Sequence, residues 1–334
     1  MARPLNLVLS LTVLALAAVS PALAATPMPV PVPVLDADFP DPFVLPVDDG
    51  LVAYATNGRH DGKTLNVQMS RSADGVHWST PANAMPRAPR WANRSSPDIW
   101  APEVIKIGAS YVMYFSARHA VRQRPDGLTL CVGVAVADKP EGPFVADAKP
   151  LTCGGELGVI DASPFRDGDD LWLYVKTDGN CCGVPIGIIA QHLTPDGRQL
   201  TGQPALVAGL TNDKPWEGGV IEAPEMVRHD GGYVMFYAAN DYGSDAYATG
   251  YAVCDTPVGP CRDAGENPIL KSQAGDPPLF GPGHEGFFRF HDRDYIAYHG
   301  WQNPHDMRNR YRAMYIAPLD WVDGKPVVGA ATAP

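Results

Sequence analysis

The sequence predicts an all-β fold, a five-bladed β-propeller with its active site on the axis, and three observations predict it. Of its 334 residues, 33 are Gly and 34 are Pro, a proline share about twice the average that disfavours long helices and favours many short strands. A unit of roughly sixty residues recurs five times along the chain. Polar residues recur in one register of that unit, which a β-sandwich with accidental periodicity does not explain.

Each unit opens on a short motif, passes a polar turn and enters an apolar strand with an aromatic residue near its centre. The first is Pro40-Asp41-Pro42-Phe43-Val44 leading to Leu51-Val-Ala-Tyr54, and the second is Ile99-Trp100-Ala101-Pro102-Glu103 leading to Tyr111-Val-Met-Tyr114. The third is Ile160-Asp161-Ala162-Ser163-Pro164-Phe165 before Leu171-Trp-Leu-Tyr174, and the fourth is Ile221-Glu222-Ala223-Pro224-Glu225 before Tyr233-Val-Met-Phe236. The fifth is Gly283-His284-Glu285-Gly286-Phe287 before Tyr295-Ile-Ala-Tyr298. A third strand follows in each unit: Asn66-Val-Gln-Met, Val132-Gly-Val-Ala, Ile186-Gly-Ile-Ile, Thr249-Gly-Tyr-Ala and Ala313-Met-Tyr-Ile. Turns such as Ala73-Asp74-Gly75 and Pro195-Asp196-Gly197 close the pattern.

Ahead of the repeats, residues 1–24 have the form of a secretory signal peptide. Arg3 supplies the positive start, Leu5 to Val19 the apolar stretch, and Ala22-Leu23-Ala24 the small-residue cleavage site. The mature chain then starts near Ala25, with residues 25–35 a proline-rich linker or ring-closing segment and residues 36–334 the catalytic propeller. The expected location is secreted or periplasmic, and no later segment is apolar enough to span a bilayer.

Export lets cysteines pair. Cys254 with Cys261, and Cys131 with Cys153, bracket proline-glycine turns between strands, while adjacent Cys181 and Cys182 form either a vicinal disulfide or two thiols. No Cys-x-x-Cys or His-rich cluster suggests zinc. The formal charge, 26 − 37 = −11, argues against nucleic acid or anionic lipid as the main partner. On charge the expected ligand is neutral or cationic.

Innermost strands of a propeller begin at one end of the central channel, so residues in one register converge on the axis. Those residues are Asp41, Trp100, Asp161, Glu222 and His284, at steps of 59, 61, 61 and 62. A lone Asp or Glu is usually a solvated turn residue, but these three carboxylates are flanked by apolar residues and proline. Paired carboxylates suit glycoside hydrolysis, where one is protonated to assist the leaving oxygen and the other is ionised to activate water. A third carboxylate raises the acid's pKa by like-charge repulsion. Trp100 is the sugar-stacking platform, and His284 lines the sugar site or helps hold a hydrated cation.

The run Phe39-Pro40-Asp41-Pro42, Trp100-Ala101-Pro102-Glu103, Ile160-Asp161, Glu222-Ala223-Pro224, Gly281-Pro282-Gly283-His284 and Tyr298-His299-Gly300-Trp301 resembles glycoside hydrolase family 43 over essentially the whole mature chain. The resemblance implies a five-bladed propeller that inverts anomeric configuration, in a family of mostly α-L-arabinofuranosidases, endo-arabinanases and β-xylosidases. By motif it implies Asp41 as general base, Glu222 as general acid, and Asp161 as the residue that tunes the acid and orients substrate. It also implies Arg312 as support for the base, with Arg310 as the competing candidate, and His284 as a ligand, through water, of a structural calcium ion. No cofactor is needed for the chemistry.

The expected reaction is release of L-arabinofuranose from arabinan or arabinose-decorated plant polysaccharide, with β-xylosidase or endo-arabinanase as alternatives, and the expected partner is a neutral pentose-containing polysaccharide or oligosaccharide, met by a monomer. A non-catalytic sugar-binding propeller gains little from burying three negative charges together. A retaining fructan-active propeller would carry an Asn-Asp-Pro-Asn motif, which is missing. Other polar residues have structural readings: Asp36 and Asp38 as loop charges, Glu217 mainly as scaffold, and Asp74-Gly75-Val-His-Trp78 as a hairpin turn. Tyr54, Tyr114, Tyr174 and Tyr298 are assigned to the blade core.

Overall fold

A computed structural model describes residue 1, residues 31–275 and residues 278–330. The expected leader and most of the proline-rich segment lie outside the described residues. Five four-stranded antiparallel sheets follow one another along the chain, and each is a blade. Their innermost strands are Phe43–Val47, Trp100–Ile107, Val159–Asp167, Ile221–His229 and Gly283–Phe290. Successive innermost strands pack on each other, and the first also packs on the fifth, which closes the ring. Among the described residues no helix is long and apolar enough to cross a membrane.

The apolar residues that mark the repeat lie between the blades. One core cluster joins blades 1 and 2 through Tyr54, Met113 and Phe115, another joins blades 3 and 4 through Phe165, Tyr174 and Met235, and a third joins blades 1 and 5 through Leu51 and Phe288. The four tyrosines assigned to the core are all buried. Three of them have a polar task as well. Tyr54, Tyr114 and Tyr174 donate their hydroxyls to the carbonyls of Pro140, Gly197 and Pro257, each in a turn of the following blade, so a buried hydroxyl is satisfied and two blades are joined.

The segment ahead of blade 1 runs along blade 5. Val34 N–H donates to Met314 O (2.9 Å) and Phe39 N–H to Arg312 O (2.8 Å). These contacts lie on the outer edge of strand Tyr311–Val322, whose far half pairs with the last strand, Lys325–Val328.

Every innermost strand is interrupted near its start in the same way. Trp100 pairs with Ser116 and Glu103 with Tyr114, leaving Ala101 and Pro102 opposite one residue. The same bulge holds Asp161 and Ala162, Ala223 and Pro224, and His284 and Glu285. In blade 1, Thr56 N–H reaches Pro40 O while Phe43 pairs with Tyr54, so Asp41 and Pro42 are the matching pair. The first bulge residue is left-handed in every blade: Asp41 (φ 56°), Ala101 (44°), Asp161 (55°), Ala223 (50°) and His284 (52°). Such a backbone costs about 1–3 kcal/mol per non-glycine residue, and bulges of this kind re-aim side chains near functional sites.

This corrects the single register expected from the sequence. Equivalent positions are Asp41, Ala101, Asp161, Ala223 and His284, whereas Trp100 and Glu222 sit one residue earlier. Blades 1, 3 and 5 therefore present the bulge residue itself to the axis, and blades 2 and 4 present the residue before it.

All three disulfides are closed: Cys131–Cys153, Cys254–Cys261 and the vicinal Cys181–Cys182. The first two pairings match the expectation from the flanking turns, and the third resolves the alternative left open for Cys181 and Cys182.

Candidate active site

The N–H of the left-handed residue is caught by a side chain of the preceding blade in four of the five blades. His299 Nδ1 accepts from Asp41 N (3.2 Å), Thr56 Oγ1 from Ala101 N (2.9 Å), Ser116 Oγ from Asp161 N (3.1 Å) and Asp161 Oδ2 from Ala223 N (3.1 Å). The strained turns are thus fixed blade to blade, and the groups they carry surround one cavity of about 210 Å³. Asp41, Trp100, Asp161, Glu222, His284 and Arg312 all line it, together with Thr56, Asn180, Tyr242 and Tyr247.

Asp41 is held from three sides. Arg312 Nη1 lies 2.9 Å from Oδ1, Thr56 Oγ1 donates to Oδ2 at 2.5 Å, and the rings of His299 and His284 approach Oδ1 at 3.2 and 3.5 Å. Burial alone would push this carboxyl up, but Arg312, then His284, hold it well below the usual carboxylate range. His299 is itself buried and pushed down to about 4, so at neutral pH its ring is neutral and Nδ1 is free to accept from Asp41 N–H. Arg310 does not compete for Asp41, because its guanidinium lies over the Trp301 ring, 4.4 Å from the centroid.

Glu222 is held from two sides. Tyr247 donates its hydroxyl to Oε1 (2.8 Å), and the fully buried Lys176 places Nζ 3.1 Å from Oε2. Tyr247 fits there because blade 5 has Gly283 at the position where blades 2 and 4 carry Trp100 and Glu222. A Cβ on Gly283 would lie 2.4 Å from the Tyr247 ring.

The proton distribution differs from the one expected from crowded carboxylates. Burial, reinforced by Glu222, pushes Asp161 up to about 6 against the pull of His284 and Lys176. At Glu222 burial acts the same way, but Lys176, His284 and the Tyr247 hydroxyl outweigh it and the carboxyl falls below its ordinary value. The two carboxyls titrate together, and as the pH falls through about 6 the first proton goes to Asp161, because Lys176 favours the ionised form of Glu222.

Sequence reasoning left Lys176, Tyr247, Thr56, Asn180, Tyr242 and His299 unassigned. Two of them carried a signal: Lys176 ends an otherwise apolar strand, Leu171-Trp-Leu-Tyr-Val, and His299 follows a run of the same kind. Tyr242, 51% exposed, stands at the mouth, with Arg312 over its ring at 5.3 Å. Glu217 is fully buried and accepts from Lys214 N and the Tyr237 hydroxyl, both at 2.8 Å, so it serves the scaffold. Asp36 and Asp38 take bonds from Tyr311 and from Arg312 N–H. Asp74 accepts from the N–H groups of Val76 and His77 and closes its own turn.

A second set of acids lies close by: Glu103 and Glu225 at the first pair past the bulge of blades 2 and 4, and Glu285 inside the bulge of blade 5. Glu225 accepts from Ser163 Oγ (2.9 Å) and Glu285 from Thr249 Oγ1 (2.8 Å), while Glu103 Oε2 and Glu285 Oε1 are buried without a partner. Burial pushes Glu225 up to about 8 and raises Glu103 and Glu285 well above the usual range. Among the described residues no group of three or more His, Cys, Asp or Glu side chains is arranged to hold a metal ion. An axial calcium ion would have to keep its water shell, with His284 as its protein contact.

The profile of glycosyl hydrolases family 43 matches residues 30–326. A beta-D-galactofuranosidase of Aspergillus niger is 28% identical over 214 residues, covering 60% of this chain and 56% of its own length. A xylosidase/arabinosidase of Bacteroides ovatus is 28% identical over 198 residues, covering 51% and 55%. The chain thus spans a little over half the length of these relatives. Among solved structures, a thermostable family-43 glycoside hydrolase superposes with a TM-score of 0.77 at 29% identity, over 91% of this chain and 98% of that one. An exo-1,5-alpha-L-arabinanase from a bovine ruminal metagenomic library shares the fold, with a TM-score of 0.66 at 20% identity.

Proposed function

The chain belongs to glycosyl hydrolases family 43, and on that premise we propose that it is an exported, inverting glycoside hydrolase that releases terminal L-arabinofuranose from arabinan or arabinose-decorated plant polysaccharide. One observation carries the reading: three buried carboxyl groups line a single cavity, with Arg312 against Asp41 and Asp161 raised to about 6 beside Glu222. That arrangement suits the protonation an inverting hydrolysis needs.

Asp41 stays ionised beside Arg312, takes a proton from water and directs the oxygen at the anomeric carbon. Glu222, supplied with the proton taken up beside it at Asp161, donates it to the leaving oxygen. Trp100 and Tyr242 offer aromatic faces to the sugar. The cavity, about 210 Å³, is below the roughly 300–1,000 Å³ of ordinary ligand sites, which supports removal of one terminal unit rather than cleavage within a chain. A calcium ion at His284, reached through water, would add positive charge near Asp41 and take no part in bond making.

The second reading, a β-xylosidase, rests on the relatives, which include a Beta-xylosidase of Xylanibacter ruminicola. Nitrophenyl α-L-arabinofuranoside, β-D-xyloside and β-D-galactofuranoside, assayed beside linear and branched arabinan, separate these specificities. Proton NMR of the first sugar released tests the stereochemistry, and retention of the substrate's anomeric form would reject the inverting assignment. A sugar-binding propeller would bind these compounds and release nothing.

A further inference from the structure

Lys176 has no role in the mechanism above, yet it is the one lysine among the described residues whose side chain is fully buried. It lies on the second strand of blade 3, Asp170–Thr177, opposite Ile160 and so beside Asp161. An ammonium group so placed cannot serve solubility, and burying it is costly unless its charge is met. Two acceptors meet it: Glu222 Oε2 at 3.1 Å and Asn180 Oδ1 at 2.7 Å. Asn180 immediately precedes the vicinal Cys181–Cys182 disulfide and itself lines the cavity.

From the elements packed around it, Glu222 faces Lys176 and Asp161 of blade 3, Tyr247 on the approach to the third strand of its own blade, and His284 and Glu285 of blade 5. Only Lys176 and His284 can bring positive charge, and of the two only Lys176 is hydrogen-bonded to the carboxyl. Tyr247 on Oε1 and Lys176 on Oε2 fix the carboxyl from opposite ends.

We propose that Lys176, anchored by Asn180, is the positioning residue for the proton-donating step: it sets the orientation of Glu222, and its charge sets the upper pH limit at which Glu222 still carries a proton. The inference rests on the hydrolase reading given above. The balance is simple. One proton leaves the Asp161/Glu222 pair for the departing oxygen, one leaves the attacking water for Asp41, and Lys176 keeps its own throughout.

The test uses the full chain with carbon-13-labelled glutamate, the Glu222 carboxyl signal being assigned by its loss in Glu222→Gln. In Lys176→Met the titration of that signal and the alkaline limb of kcat/KM for an arabino-oligosaccharide should both move up, by about one to three pH units, the range for removing an opposite charge in contact. The maximal kcat should fall while KM changes little. Asn180→Ala should move both quantities in the same direction by less, and Lys176→Arg, which keeps the charge, should leave the titration low while lowering kcat. A titration that stays in place in folded Lys176→Met, or a limb that moves without it, overturns the proposal. Should Lys176→Met not fold, the Asn180→Ala and Lys176→Arg results decide by the same criteria. If the wild-type chain hydrolyses none of the sugars, the hydrolase reading fails by itself, and the carboxyl titration still decides whether Lys176 governs Glu222.

Discussion

Two sets of acids stand on the innermost strands around the axis, Ile221–His229 carrying a member of each, and they titrate in opposite senses. Asp41 and Glu222 are buried and held below their ordinary range, whereas Glu103, Glu225 and Glu285 are raised above it. Burial pushes all five the same way, so depth does not separate them. Their partners do: Arg312 and Lys176 reach the first set, and the hydrogen-bond donors on Glu225 and Glu285 are the hydroxyls of Ser163 and Thr249. A hydroxyl satisfies an oxygen without compensating its charge, and a guanidinium or ammonium does both. Asp161 marks the boundary, with a backbone N–H on one oxygen, no cation in contact, and a pKa of about 6.

The largest effect expected from this contrast is at Asp41. Asp41→Ala should lower kcat/KM about 10²–10⁴-fold, for aryl glycosides and oligosaccharides alike, because both need the water activated. External azide should restore part of the rate by occupying the vacated water site. Glu222→Ala should cost as much with an oligosaccharide and far less with an aryl glycoside, whose phenolate departs without a proton. If the leaving-group dependence appears in the Asp41 variant instead, the two roles are reversed.

Asp161→Asn should have an intermediate effect, roughly tenfold, on the scale of one pK unit. Its charge no longer repels Glu222, so Glu222 loses its proton more readily and the alkaline limb of kcat/KM should move to lower pH. A limb that stays in place would separate Asp161 from the donated proton.

In the second set the effect should fall on stability and leave the rate untouched. Glu225 has its folded pKa raised from 4.5 to about 8, so its contribution is complete below about pH 4.5 and is lost as the pH rises toward 8. Glu225→Gln removes the titration, and thermal melts of this variant should decline less than wild type over that interval. Smallest of all, Thr249→Val leaves an oxygen of Glu285 without its donor and should lower stability by about 1–2 kcal/mol, with kcat/KM unchanged. A rate loss in either variant would place the second set in the chemistry after all.

The five blades were legible because the aromatic-centred strands and their turns repeat, and because Tyr54, Tyr114 and Tyr174 must be apolar enough to be buried and polar enough to reach the next blade. Phe236 holds the equivalent place in blade 4 without making that bond, and in blade 5 that place falls to Ala297, one residue before Tyr298. The pocket carboxylates were legible for the same reason, as polar residues at a point where the repeat is otherwise apolar. The offset of Trp100 and Glu222 was not, since a bulge shows only in which residue pairs with which across two strands. Tyr247 and Thr56 come from loops, where no register sets them apart, and Lys176 shows only as the charge that ends an apolar second strand. Glu103, Glu225 and Glu285 stood in plain view within the motifs, and their titration depends on partners that only the folded ring brings near.

The outer edge of strand Tyr311–Val322 is shared by the lead-in to blade 1, at Met314, and the last described strand, from Leu319 onward. The order in which the blades are translated is therefore a property of the gene and not of the ring. A rearranged gene that joins these two segments and opens instead at an exposed hairpin such as Asp323-Gly324 or Asp74-Gly75 would encode the same circle of blades. The seam now sealed by non-covalent pairing would become continuous polypeptide, and the active-site cavity would keep every one of its contributors.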